Sequence, residues 1–212
     1  MLILIGLLNN AIPFYLISWG QQYISSATSA VMLAMGPFIT LIVSHMITED
    51  EKITFFKVVG VILGFIGVFI LMGDDFLKGD VDSLYGKIAM ILAIMGYLTS
   101  GFLIRKLSHV HTLICSTSMF TAAWVIMSPF LFVISYESFD IISLPFLTIV
   151  YLAIIPTAAA SLIRINLVRK TGVQFMSQVS YLIPIATILW AWILFDVVPP
   201  MVVYIALVFI FA

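Results

Sequence analysis

Seven stretches of this chain run for about 18–25 residues with almost no charge: 2–20, 27–47, 55–72, 85–104, 113–136, 146–168 and 173–195. A helix rises ~1.5 Å per residue, so each is long enough to cross a hydrocarbon layer of ~30 Å. An eighth apolar stretch, 201–212, reaches only ~18 Å as a helix. Backbone polar groups find no water in lipid, so segments of this kind must be helices packed on one another. The expected fold class is therefore an all-α integral membrane bundle with seven full transmembrane helices and a partial eighth.

Composition points the same way. Hydrophobic residues make up 63% of the 212 residues, charged residues 9%, and the mean hydropathy is +1.24. A soluble domain carries roughly 25% charged residues. The net charge of -1 argues against a nucleic-acid partner, which requires a basic face. The single cysteine, Cys115, excludes an internal disulfide framework and reads as packing. Met1 leads directly into Leu2-Ile3-Leu4-Ile5 without a basic segment, so no cleavable signal peptide is expected. Because the last apolar stretch is short, the chain is expected to be a fragment or a truncated product that stops inside a helix.

The loops are short and punctuated by Gly73-Asp74-Asp75, Lys78-Gly79-Asp80 and Arg169-Lys170-Thr171-Gly172. They alternate sides. One side holds Lys52, Lys57, Arg105, Lys106, Arg164, Arg169 and Lys170; the other holds only Lys78 and Lys87. The richer side is cytoplasmic by the positive-inside rule, and the protein is placed as a multi-pass component of the cytoplasmic (inner) membrane. Asp74, Asp75, Asp80, Asp82, Glu137, Asp140 and Asp196 then lie outside.

An internal echo accompanies this topology. Pro37 lies twelve residues before Glu49, and Pro184 lies twelve before Asp196, so both pairs share an offset of 147. Glu49 ends its span inside and Asp196 ends its span outside. The halves are thus expected to be inverted repeats, the architecture that lets one half rock against the other about a central site.

Ile12-Pro13-Phe14-Tyr15-Leu16-Ile17-Ser18-Trp19-Gly20-Gln21-Gln22-Tyr23-Ile24-Ser25-Ser26, then Gly36-Pro37-Phe38, Glu49-Asp50-Glu51-Lys52-Ile53-Thr54 and Gly60-Val61-Ile62-Leu63-Gly64-Phe65-Ile66-Gly67-Val68 form one set of motifs. Pro156-Thr157-Ala158-Ala159-Ala160, Gln178-Val179-Ser180-Tyr181-Leu182-Ile183-Pro184 and Asp196 form a second. Together they resemble EamA-type carriers of the drug/metabolite transporter superfamily. The resemblance implies a template of ten helices in two inverted halves, with the first two helices missing here and the last cut short. It implies that 1–73 is the C-terminal part of the first repeat, with three helices. Residues 74–212 would be the second repeat, with four helices and a truncated fifth. Asp196 and Gln21 depart from the family, which more often has Glu at both positions.

Several residues are candidates for function. Pro37 and Pro184 each remove a helical hydrogen bond and read as hinges or as static kinks. Asn9, Asn10, Tyr15, Trp19, Tyr97, Ser161, Gln178 and Tyr181 are polar or amphipathic groups within spans. Such groups need partners, and aromatic faces mixed with a few amides suit a small amphipathic metabolite. Tyr15 with Trp19 and Gln178 with Tyr181 share helix faces by spacing and form the preferred cavity walls. Arg164 lies five residues inward of Arg169, either as a cation for an anionic substrate group or as a side chain reaching back to the headgroups. The substrate-binding set is therefore Tyr15, Trp19, Tyr97, Ser161, Arg164, Gln178 and Tyr181. Gly60, Gly64 and Gly67 form a small-residue stripe for packing within the bundle, with a homodimer as its other use. His45 reads as an interfacial residue rather than a proton carrier, and His109 with His111 lack the companions of a metal site.

These features favour a secondary transporter for a small organic metabolite such as an amino acid, amine or drug-like compound. A non-transporting assembly protein is the alternative, and an intramembrane enzyme is disfavoured because no acid lies mid-span. No catalytic residue, metal or cofactor is assigned. No Gly-x-x-x-x-Gly-Lys-Ser/Thr motif is present, so ATP does not drive this chain. Exchange and proton coupling both stay open.

Overall fold

A computed structural model of the chain describes residues 1–77, 81–132, 143–196 and 201–211. Lys78, Asp80, Glu137 and Asp140, assigned above to outer loops, lie outside the described residues. Among the described residues the regular structure is helical. Five helices are long and apolar enough to cross a membrane: Leu2–Gly20, Thr28–Ile47, Ser83–Lys106, Thr112–Phe130 and Phe146–Thr171. Phe55–Leu71 and Met201–Phe211 are shorter apolar helices.

Prolines decide how these spans are built. The first runs from α1 (Leu2–Gly6) through a π-helical turn, Leu7–Ala11, into α2 (Ile12–Gly20). Ile12 N–H donates to Leu7 O, five residues back. Pro13 lacks an N–H and its ring crowds the carbonyl four residues earlier, so a widened turn at this place accommodates it.

The second span is broken rather than kinked. α3 (Ser26–Leu33) opens on Ser25, whose Oγ accepts from Thr28 N–H at 3.1 Å. It ends at a turn over Ala34 and Met35, and α4 (Gly36–Ile47) starts afresh with Pro37 in its first turn. This corrects the expectation of a proline inside a continuous helix. At the first turn of a helix a proline's missing N–H is no loss. Met35 N–H to Met32 O (3.0 Å) and Phe38 N–H to Met35 O (3.1 Å) tighten the joint.

α5 (Phe55–Leu77) continues through Gly73-Asp74-Asp75, which the sequence assigns to a loop. α6 (Val81–Lys106) ends on Arg105 and Lys106, cations at the negative pole of the helix.

α7 (Thr112–Met127) passes into a 3₁₀ turn, Ser128–Phe132, at Pro129. The Val125 carbonyl, four residues before Pro129, accepts Ser128 Oγ–H at 3.0 Å. The same substitution recurs in the next span. α8 (Leu144–Leu152), a π-helical stretch Ala153–Ala159 and α9 (Ala160–Thr171) form one helix around Pro156. The Leu152 carbonyl, four residues before Pro156, accepts Thr157 Oγ1–H at 2.9 Å. In both spans a hydroxyl beside the proline thus donates to the carbonyl four residues before it, which adds a partner to a backbone acceptor that meets no water in lipid.

α10 (Val173–Ser177) stops at Gln178, and α11 (Val179–Phe195) carries Pro184 in its interior. Asp196 closes α11 in the left-handed conformation at φ 54°, a stop compatible with its short polar side chain. α12 (Met201–Phe211) follows.

The contacts fall into two compact units. The first comprises Met1–Ile12 and Thr99–Gly172, the second Pro13–Leu98 and Val173–Ala212. Each unit draws on both halves of the sequence. In the first unit α7 packs against α1, the Leu7–Ala11 turn and α9. A Cβ at Gly6 would overlap the Met119 carbonyl oxygen, so only glycine permits that approach. In the second unit α5 is central, packing on α3, α4, α11 and α12. Gly64 lies beneath the Tyr181 ring and Gly67 against Ala206 and Ile210, whereas Gly60 faces open space. The glycine stripe therefore serves packing within the chain at two of its three positions.

Candidate functional site

Two of the predicted site residues, Ser161 and Arg164, belong to the first unit; Tyr15, Trp19, Tyr97, Gln178 and Tyr181 belong to the second. Ser161, on α9, is buried. Its hydroxyl donates to Ala158 O at 2.8 Å and lies 2.7 Å from Ser116 Oγ on α7, so it joins two helices. Arg164 is half-buried one turn further along α9. Five residues on, Arg169 acts as a clamp. Its guanidinium donates to Val110 O and Leu107 O, both at 2.8 Å, and to Thr112 Oγ1 at 3.3 Å. Thr112 in turn donates to Asn166 Oδ1 at 2.7 Å. This charge binds the connection before α7 rather than facing water freely.

In the second unit Tyr15 is 61% exposed. Trp19, half-buried one turn later, packs at a tilt against Tyr23 with ring centroids 4.9 Å apart, and Tyr23 meets Tyr85 at 6.1 Å. Tyr97 is half-buried on α6. Gln178 occupies the joint between α10 and α11: its N–H donates to Phe175 O and its carbonyl accepts Tyr181 N–H, three residues on. Tyr181 is buried, and its hydroxyl donates to Val61 O at 2.9 Å. Its pairing with Gln178 by spacing thus resolves into a half-buried amide at a helix joint and an aromatic packed on α5.

Two polar clusters complete the picture. In the first unit Ser100 Oγ–H donates to Asn9 Oδ1 at 3.1 Å, and Asn9 Nδ2–H donates to Asn10 Oδ1 at 2.9 Å. All three side chains are buried. In the second unit Glu51, only 6% exposed, accepts Gln174 N–H on Oε1 at 3.2 Å. Sequence reasoning singled out Glu49 for its spacing from Pro37, but Glu49 is exposed and Glu51 is the buried acid. The signal available was position: Glu51 directly precedes Lys52-Ile53-Thr54, where α5 begins. Ser44, on α4, and the Gln174 side-chain amide are also buried, with no partner for Ser44 Oγ, Gln174 Nε2 or Gln174 Oε1.

His45 and His111 serve the backbone. His45 Nδ1 accepts Ile53 N–H at 3.2 Å, and its carbonyl accepts Lys52 Nζ–H at 3.0 Å. His111 Nδ1 accepts Leu113 N–H at the start of α7.

Residues 1–73 match the EamA-like transporter family. Over that first third the chain is similar to EamA-like transporters, and five of its helices are long and apolar enough to cross a membrane. The uncharacterized transporter YoaV of Bacillus subtilis (strain 168) is 23% identical to it over 82 residues, which make up 39% of this chain and 28% of YoaV. An uncharacterized transporter of Buchnera aphidicola subsp. Schizaphis graminum is 30% identical over 95 residues, 45% of this chain and 31% of that protein. One from Archaeoglobus fulgidus is 33% identical over 67 residues, 32% and 24% respectively. The matched segments thus span about a third or less of each relative, and each relative is named a transporter rather than an enzyme. A protein of known crystal structure superposes on the chain with a TM-score of 0.83 at 16% identity, over 98% of this chain and 73% of that one. At that identity the likeness is one of fold.

Proposed function

We propose that this chain is the core of a secondary transporter that moves a small organic metabolite across the cytoplasmic membrane by alternating access. The observation that carries the reading is the EamA match over residues 1–73. The broken helices support it. The joint at Ala34–Met35 precedes Pro37, and the joint at Gln178 precedes Pro184. The π-helical turn at Leu7–Ala11 adjoins Pro13, and the one at Ala153–Ala159 contains Pro156. Interruptions that recur in pairs along the chain fit two inverted copies of one helical unit, and interrupted helices in corresponding positions are where such carriers bind and move.

In this reading Tyr15, Trp19, Tyr97 and Gln178 of the second unit are the substrate-contacting candidates, and Arg164 is a separate candidate within the first unit. Ser161 and Tyr181 act as positioning residues, because Ser116 and Val61 hold their hydroxyls. The test is uptake and exchange in proteoliposomes, with a panel of amino acids, amines and small carboxylates, with and without a pH gradient. Flux of at least one compound above protein-free liposomes is expected, together with impaired flux but intact insertion for Gln178→Ala. Flux of no compound above that background overturns the reading.

A further inference from the structure

We propose that Asn10 is a ligand-recognition residue whose side-chain amide N–H group binds an acceptor oxygen, carboxylate or carbonyl, on the metabolite carried. The inference rests on the transporter reading and names the chemistry its substrate must show. The first unit holds a directed relay. Ser100 Oγ–H donates to Asn9 Oδ1, and Asn9 Nδ2–H donates to Asn10 Oδ1. Each link fixes the orientation of the next amide, so Asn10 presents its Nδ2 as the free end. That atom is buried without an acceptor, on a side chain only 6% exposed. A buried donor left unmet destabilises a fold, whereas an apolar residue of similar size does not. The amide is therefore costly to retain in the empty protein unless something arrives to accept from it.

The backbone around Asn10 is unusual in the same place. Leu7–Ala11 is π-helical, a geometry often found at functional sites. In the register set by Ile12 N–H to Leu7 O, the donor for the Leu8 carbonyl would come from residue 13, which is proline. A donor amide and a carbonyl released from the helix thus share one turn. The charges of the first unit agree with an acceptor-bearing ligand: among its described residues the charged side chains are Arg105, Lys106, Arg164, Arg169 and Lys170, all cations. A bare metal cation does not suit a donor N–H, and an internal water is the competing occupant.

The test uses the chain in lipid nanodiscs and in proteoliposomes. The probes are L-amino acids and short monocarboxylates, each beside the matched amine or alkane that lacks the carboxylate. The wild type is expected to bind at least one carboxylate-bearing probe more tightly than its matched partner. Asn10→Leu is expected to weaken that binding about tenfold, a change of ~1.4 kcal/mol, to abolish the preference within the pair, and to leave the unliganded protein equally or more resistant to heat. Asn10→Asp, which keeps the shape but offers acceptors, is expected to lose the same preference. Unchanged affinity in Asn10→Leu and Asn10→Asp, the result for a water site only, overturns the proposal while leaving transport intact. Binding confined to the carboxylate-free partners overturns it as well. Flux of no probe at all by the wild type overturns the transporter reading itself.

Discussion

Tyr181 donates its phenolic hydrogen to the carbonyl oxygen of Val61, 2.9 Å away, while its ring covers Gly64 one turn further along α5. One side chain on α11 therefore fixes the central helix of its unit by a hydrogen bond and by shape together. Val31, Ala34 and Val68 share the same buried cluster, with Phe65, Phe69 and Ile210 around it.

Gly64→Ala places a methyl group within 2.5 Å of the Tyr181 ring carbons. Overpacking of this kind costs about 1–3 kcal/mol. Tyr181→Phe keeps the ring and loses only the hydrogen bond, at about 0.5–1.5 kcal/mol. Thermal unfolding in detergent should rank Gly64→Ala below Tyr181→Phe. The double variant Gly64→Ala with Tyr181→Ala should be more stable than the sum of its parts, because the two residues are in contact. Additive effects would show that they do not press on one another.

Thr157→Val removes the hydroxyl that donates to the Leu152 carbonyl of the same helix and should destabilise by about 0.5–1.5 kcal/mol, the net worth of an ordinary intramolecular hydrogen bond. Pro156→Ala restores an N–H four residues from Leu152. In that background Thr157→Val should be close to silent, and unfolding of the four proteins in the cycle measures the difference. An equal penalty with and without Pro156 would mean that the hydroxyl does not replace the proline's missing donor.

Arg169→Ala should release the connection at 107–112, since the guanidinium supplies donors to Leu107 O, Val110 O and Thr112 Oγ1. Amide exchange over Ser108–Leu113 is expected to rise about tenfold or more, corresponding to loss of ~1.5–3 kcal/mol of charged hydrogen bonding. Arg169→Lys should rescue little, because an ammonium lacks the planar fork that reaches two carbonyls at once. Full protection in Arg169→Lys would reduce the role to charge alone.

Glu51→Ala should loosen the first turn of α10, where the Gln174 N–H loses its carboxylate acceptor. The expected reading is faster exchange at Gln174, by about tenfold for a bond worth ~1.5 kcal/mol, with Glu49→Ala unchanged as the comparison. Equal effects at the two positions would place the acid's influence in the loop's net charge.

The membrane-spanning stretches were readable because lipid imposes them: a span predicted at 2–20 is the helix Leu2–Gly20, and one predicted from 27 to 47 corresponds to Thr28–Ile47. Pro37 and Pro184 were visible as interruptions, but not what each does. A helix can stop ahead of a proline, as at Leu33, or carry one within, as around Pro184, and the choice is made by packing that a single chain of letters does not display. For the same reason Glu51 escaped notice. Its burial depends on α10, well over a hundred residues away in sequence, and spacing from Pro37 pointed to Glu49 instead. Asn9 and Asn10 stood out as amides inside a span, yet the order of donation from Ser100 needed the fold. Tyr181 stood out as a candidate cavity wall, while its partner Val61, an apolar residue offering only a backbone carbonyl, left no trace in side-chain chemistry.

Ser128 and Thr157 supply what Pro129 and Pro156 cannot, so the bends at those two prolines are finished joinery rather than loose pivots. Nothing is gained by straightening either one, since no bare acceptor waits to be covered. A neighbouring hydroxyl thus marks a proline as rigid ironwork in the bundle. Movement is better sought at Ala34–Met35 and Gln178, where two helices meet end to end through a single turn.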